Sequence, residues 1–76
     1  MFNAIKEQNE KLYEKVVFQI KEKIAKGELQ EGDKLPPERE LTKMLNVSRS
    51  SVREAMKTLE VIGLVNIKHG QGIFIA

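Results

Sequence analysis

Seventy-six residues, 41% hydrophobic and 5% aromatic, suffice for one small domain and exclude a large enzyme. A single histidine and no cysteine exclude disulfide staples, thiolate zinc sites and histidine metal clusters, so packing alone must hold the fold and no cofactor is expected in this domain. Thirteen basic against eleven acidic residues leave a net charge of +2; no apolar run approaches the roughly 20 residues of a membrane span, and the charged start is unlike a signal peptide, so a soluble cytoplasmic protein is expected.

Residues 1–9 are polar and are expected to fray. From Leu12 the apolar residues Leu12, Val16, Ile20 and Ile24, with Val17 alongside, fall at helical spacing and predict a first helix ending at Gly27. Gly27 suits a left-handed C-terminal cap, and Lys21, Lys23 and Lys26 complement the helix dipole. Turn signals at Glu31-Gly32-Asp33 and Pro36-Pro37 leave Lys34 and Leu35 as a short edge strand. Proline is accepted in a first turn, and Glu38 and Glu40 favour a helix N-terminus, which predicts a second helix over 37–45 that buries Leu41, Met44 and Leu45.

A tight turn follows at Asn46-Val47-Ser48, where Asn tolerates a left-handed backbone and Ser can cap the next helix. The third helix, about 48–62, carries its apolar stripe on Val52, Ala55, Met56, Leu59 and Ile62 and closes at Gly63. Beyond it Val65 and Ile67 alternate with Asn66 and Lys68, His69-Gly70-Gln71-Gly72 interrupts, and Ile73-Phe74-Ile75 resumes, which reads as a β-hairpin with a four-residue loop. The expected fold is mostly α with a small β-hairpin: a winged helix-turn-helix of three helices plus a wing, occupying residues 10–76.

Charge is unevenly spread. Residues 1–33 hold six lysines and seven acids, whereas residues 34–76 hold seven basic residues, all three arginines among them, and four acids. At about 100° per residue, Arg49, Arg53 and Lys57 fall opposite the apolar stripe of the third helix. The helix begins Ser48-Arg49-Ser50-Ser51, presenting donors and small hydroxyls at the end that would enter a major groove. A solvated helix face, with Arg49 and Arg53 paired to Glu54, Glu60 or acids of the second helix, is the bland alternative, and the helix-turn-helix context argues against it. For Arg39, an ion pair with Glu38 or Glu40 and a contact across a groove stand about equal on chemistry alone.

The segment LPPERELTKMLNVSRSSVREAMKTLEVIGLVNIKHGQGIFI resembles the DNA-binding domain of the GntR family of bacterial transcription regulators, most of all its FadR-like branch. The family's patterns L-P-x-E-R-E-L, V-S-R-x-x-V-R-E-A, L-E-x-x-G-L and G-x-G-x-F occur here in order. The resemblance implies a winged helix that binds double-stranded DNA, a palindromic operator, as a homodimer. It implies DNA contacts from Arg39, Ser48, Arg49, Ser50, Ser51, Arg53, His69, Gly70 and Gln71, with the third helix in the major groove and the wing tip in the minor groove. Pro37 stands where Ser is frequent, and Ser51 where Pro is frequent, which shifts the expected operator preference. The resemblance also implies a larger C-terminal ligand-binding and dimerising domain, which these 76 residues are not expected to contain. The competing reading from another class is a protein-association module using Val65, Ile67, Ile73 and Ile75 as an apolar surface. An enzyme is not expected, because His69 stands at a hairpin tip with no recognisable catalytic partner.

Overall fold

Apolar side chains at three- and four-residue spacing draw each helix against its neighbours. In the computed structural model, which describes residues 2–5 and 11–76, α1 spans Leu12–Ala25, α2 Glu38–Leu45 and α3 Arg49–Val61. α1 buries Val16 and Ile20 completely, with Leu12, Val17 and Ile24 packed beside them. α2 buries Leu41 and Leu45, and α3 buries Val52, Ala55, Met56 and Leu59. α3 is the central element: α1, α2 and the hairpin all pack against it.

The helix ends follow their caps. Gly63 N–H donates to the Glu60 carbonyl at 3.0 Å and Leu64 N–H to the Leu59 carbonyl at 2.9 Å, the paired bonds of a Schellman ending, which Gly63 permits through φ +82°. The equivalent bonds from Gly27 to Ile24 and from Glu28 to Lys23 close α1. α2 begins one residue later than expected: Pro37 is its N-cap, so Leu41 N–H bonds the Pro37 carbonyl at 2.9 Å, and no side chain caps this end. Between α2 and α3, Asn46 adopts the left-handed conformation at φ 58° and ψ 49°, Val47 is buried, and Ser48 caps α3 by accepting a 3.2 Å bond from Ser51 N–H.

β1 (Val65–Lys68) and β2 (Gly72–Ile75) pair antiparallel in the register Val65 to Ile75, Asn66 to Phe74, Ile67 to Ile73 and Lys68 to Gly72. Gly72 therefore belongs to the ladder, and the loop has three residues, His69-Gly70-Gln71, closed by Gln71 N–H bonding the Lys68 carbonyl at 2.9 Å. The expected edge strand exists as a bridge of Lys34 to Phe74, flanked by bonds from Leu35 N–H to the Ile73 carbonyl and from Ile75 N–H to the Asp33 carbonyl. This places β1 on the outer edge, where the Glu60 carboxylate accepts a 3.3 Å bond from Ile67 N–H. The apolar face of the hairpin is turned inward. Val65 and Ile75 are buried, and Ile67 and Ile73 pack against the core.

Three further expectations change. Met44 is 40% exposed: α2 is short and its core line runs between Leu41 and Leu45, from which Met44 is rotated by about 80°. Ile62 is 49% exposed because it is the C-cap, where the chain already leaves the helix. The start of the chain is docked rather than frayed at residues 2–5. Ile5 is buried, its N–H bonds the Leu45 carbonyl at 2.7 Å and its carbonyl accepts from Asn46 Nδ2, while the Gln19 side-chain amide exchanges two bonds with the backbone of Asn3. The rest of the segment expected to fray, Met1 and residues 6–9, lies outside the described residues.

These positions give separable effects in urea unfolding. Leu41→Ala is expected to cost about 2–5 kcal/mol through the cavity it leaves, whereas Met44→Ala stays within about 0.5 kcal/mol. Ser48→Ala, which removes the α3 cap, is expected to cost about 0.5–2 kcal/mol.

Candidate nucleic-acid interface

The tight turn at Asn46-Val47-Ser48 brings the first turns of α2 and α3 within reach of each other across the surface. Arg53, one turn into α3, donates from Nε to Oε2 of Glu38, the first residue of α2, at 2.8 Å. This hydrogen bond, and then the carboxylate charge, raise the Arg53 guanidinium above its ordinary value, so it stays charged under all ordinary conditions. The pairing with a second-helix acid, which the sequence context argued against, is thus present for Arg53. Among the described residues only Nε is used, so the two terminal amino groups of the guanidinium keep their donors for another partner.

Arg49 and Arg39 are exposed, and among the described residues neither has a carboxylate within 4.0 Å; the same is true of Lys57. The ion pair considered for Arg39 is absent. Glu38, its sequence neighbour, is turned to Arg53 instead.

Three hydroxyls gather at the start of α3. Ser48 Oγ lies 3.1 Å from Ser50 Oγ, and donates to Ser51 Oγ at 3.1 Å while accepting from Ser51 N–H. Ser48 is therefore occupied as a cap, and Ser50, exposed and bonded only within this cluster, is the hydroxyl best placed to turn outward. Ser51 is half-buried.

His69, Gly70 and Gln71 form the exposed tip of the wing. A cleft runs between this tip and the start of α2, lined among others by Lys34, Pro37, Glu38, Lys68, His69 and Gln71. Glu38 thus bonds Arg53 of α3 and is also among the residues that line the cleft beside the wing tip. Sequence reasoning missed Glu38 in this role, together with Lys34 and Lys68. The alternation along the two strands, which sets Lys68 and Phe74 on the face opposite Val65 and Ile75, was the signal that could have found the last of these.

The sequence pattern of the family described as bacterial regulatory proteins, gntR family, matches residues 12–75. The chain is 44% identical over 63 residues to the Uxu operon transcriptional regulator of Escherichia coli K12, covering 83% of this chain and 24% of that protein. It is 48% identical over 61 residues to the HTH-type transcriptional repressor NanR of Klebsiella aerogenes, covering 80% of this chain and 24% of that one. The chain thus spans about a quarter of the length of these curated relatives. Among solved structures, the DNA-binding domain of AraR in complex with operator ORX1 superposes with a TM-score of 0.90 at 28% identity, over 100% of this chain and 99% of that one. With three helices, a paired hairpin and the family pattern over residues 12–75, this chain is a winged helix and belongs to the gntR family of bacterial regulatory proteins.

Proposed function

We propose that this domain binds double-stranded operator DNA to regulate transcription, with α3 in the major groove and the wing tip in the adjacent minor groove. The observation that carries the reading is the placement of Glu38, which bonds Arg53 of α3 and lines the cleft beside the wing tip. The superposition on an operator-bound AraR domain supports it. The rival use of the hairpin as an apolar association surface loses its basis, since Val65 and Ile75 are buried inside the domain.

Arg49, free of carboxylates, is the base-reading residue, and Arg53, held at Nε by Glu38, offers its terminal fork to a guanine or a phosphate. Arg39, Ser50 and Ser51 add contacts along the groove wall, and Ser48 contributes through the helix start it caps. His69, Gly70 and Gln71 enter the minor groove, and Lys57 touches phosphate. Two copies engage a palindromic operator as a homodimer, in the cytoplasm where the DNA is found. Among the described residues, no helix is long and apolar enough to cross a membrane. The work of the domain is binding and release, with no covalent step.

Selection of bound sequences from a random duplex library, followed by titration of the winner against a scrambled duplex, tests the reading. A palindrome should emerge, and Arg49→Ala should cost about 1–3 kcal/mol of binding and relax the preference at one base position. Equal affinity for winner and scrambled duplex at every salt concentration would overturn it. Glu38→Ala removes an acid, so charge alone predicts tighter binding to any duplex. If Glu38 aims Arg53, affinity for the selected operator falls while affinity for the scrambled duplex holds or rises.

A further inference from the structure

The outward face of the hairpin carries an arrangement that neither the recognition helix nor the wing tip accounts for. Side chains alternate along the strands, so the face opposite the buried Val65 and Ile75 presents Asn66, Lys68, Gly72 and Phe74. Lys34, bridged to Phe74 from the other side, joins them. The ammonium of Lys68 lies 5.1 Å from the centre of the Phe74 ring and that of Lys34 lies 6.0 Å from it, so two cations share one aromatic ring. Gly72 makes this possible. A Cβ at that position would stand 2.7 Å from Cε of Lys34, so the bare backbone lets the Lys34 stem cross the hairpin toward Lys68.

Among the described residues no carboxylate lies within 4.0 Å of either lysine. Two like charges gathered on one ring without a counter-ion repel each other, and exposed cation–π contacts of about 0.5–1 kcal/mol each are a weak reason to collect them. An anion between or beside them would relieve that repulsion. Both lysines also line the cleft between the wing tip and the start of α2, next to His69 and Gln71 and together with Glu38, whose carboxylate is bonded to Arg53. A strand leaving a groove occupied by the wing tip would run its backbone past this cleft.

We infer that Lys34 and Lys68, gathered over Phe74 at the base of the wing, form a binding site for backbone phosphate of the bound duplex. The inference rests on the DNA-binding reading above and adds to it a contact that is indifferent to sequence. Lysine suits the task, being a compact point charge that meets phosphate without demanding a planar partner. The site holds the wing on the backbone while its tip probes the groove.

The test is the salt dependence of binding to the selected operator and to a scrambled duplex, measured for the wild-type chain and for Lys34→Gln, Lys68→Gln, the double variant and Lys26→Gln. Lys26, at the end of α1, is already 3.9 Å from Glu22 and serves as the control for charge removed elsewhere. The slope of log affinity against log salt should fall by about one unit per lysine removed at the site, equally for both duplexes, leaving their ratio unchanged. Lys26→Gln should leave the slope as it was. A double variant with the wild-type slope would overturn the site while DNA binding stands. A Lys26→Gln effect as large as that of Lys68→Gln would overturn it in favour of diffuse charge. A wild-type chain with no salt-dependent binding to either duplex would overturn the DNA reading itself.

Discussion

The direction of α3 relative to α2 is set by three residues, and the exposed groups on these two helices inherit their positions from them. Asn46 reverses the chain with a left-handed backbone, Val47 drives into the core, and Ser48 opens the next helix as its cap. The turn is braced from two sides. Leu41, Leu45 and Val52 are fully buried, and Ile5 bonds the Leu45 carbonyl just before the turn while accepting from Asn46 Nδ2. With no cysteine to form a disulfide, the geometry rests on this packing and on hydrogen bonds that leave the buried polar side-chain atoms of the described residues satisfied.

Fixing that angle divides the arginines into two kinds. Arg53 is restrained by Glu38, so its side chain loses freedom before any partner arrives and less entropy remains to be lost on contact. Arg49 has no such restraint and can adapt its reach. A restrained donor favours one geometry, whereas a free one keeps its rotamers until a partner selects among them. The acid at the start of α2 thus has two consequences. It sits favourably at a helix N-terminus, and it organises a cation on the neighbouring helix.

Local signals were legible in the sequence, and distant ones were not. Apolar spacing placed all three helices, and Gly27, Gly63 and Ser48 marked their ends, because caps act within a turn of the residue that makes them. The hairpin was visible in its alternation, although the loop proved one residue shorter once Gly72 was seen to pair with Lys68. Burial of Met44 and Ile62 was misjudged because spacing gives a face but not the width of the neighbour that covers it. The docking of Ile5 against Leu45, and the bond of Arg53 to Glu38, join residues 40 and 15 apart, and no short-range pattern announces such pairs. Of the candidate site, the residues of α3 and the wing tip were readable from their motifs. The bond of Arg53 to Glu38 and the cleft beside the wing tip were not, since both depend on tertiary placement.

The carboxylate of Glu60 at Ile67 N–H has a consequence for how copies of the domain behave side by side. β1 is the outer strand of the sheet, and an open ladder there would invite a strand from a second molecule. Four residues is a short edge, and a charged side chain from the neighbouring helix already occupies its central donor. An incoming strand would have to expel that carboxylate and leave it without its bond. Proteins crowded onto one stretch of duplex reach high local concentration, a condition that promotes edge-to-edge aggregation. Here α3, which carries Arg49 and Arg53, also guards the sheet through Glu60, so crowding need not turn into β-zippering between neighbours.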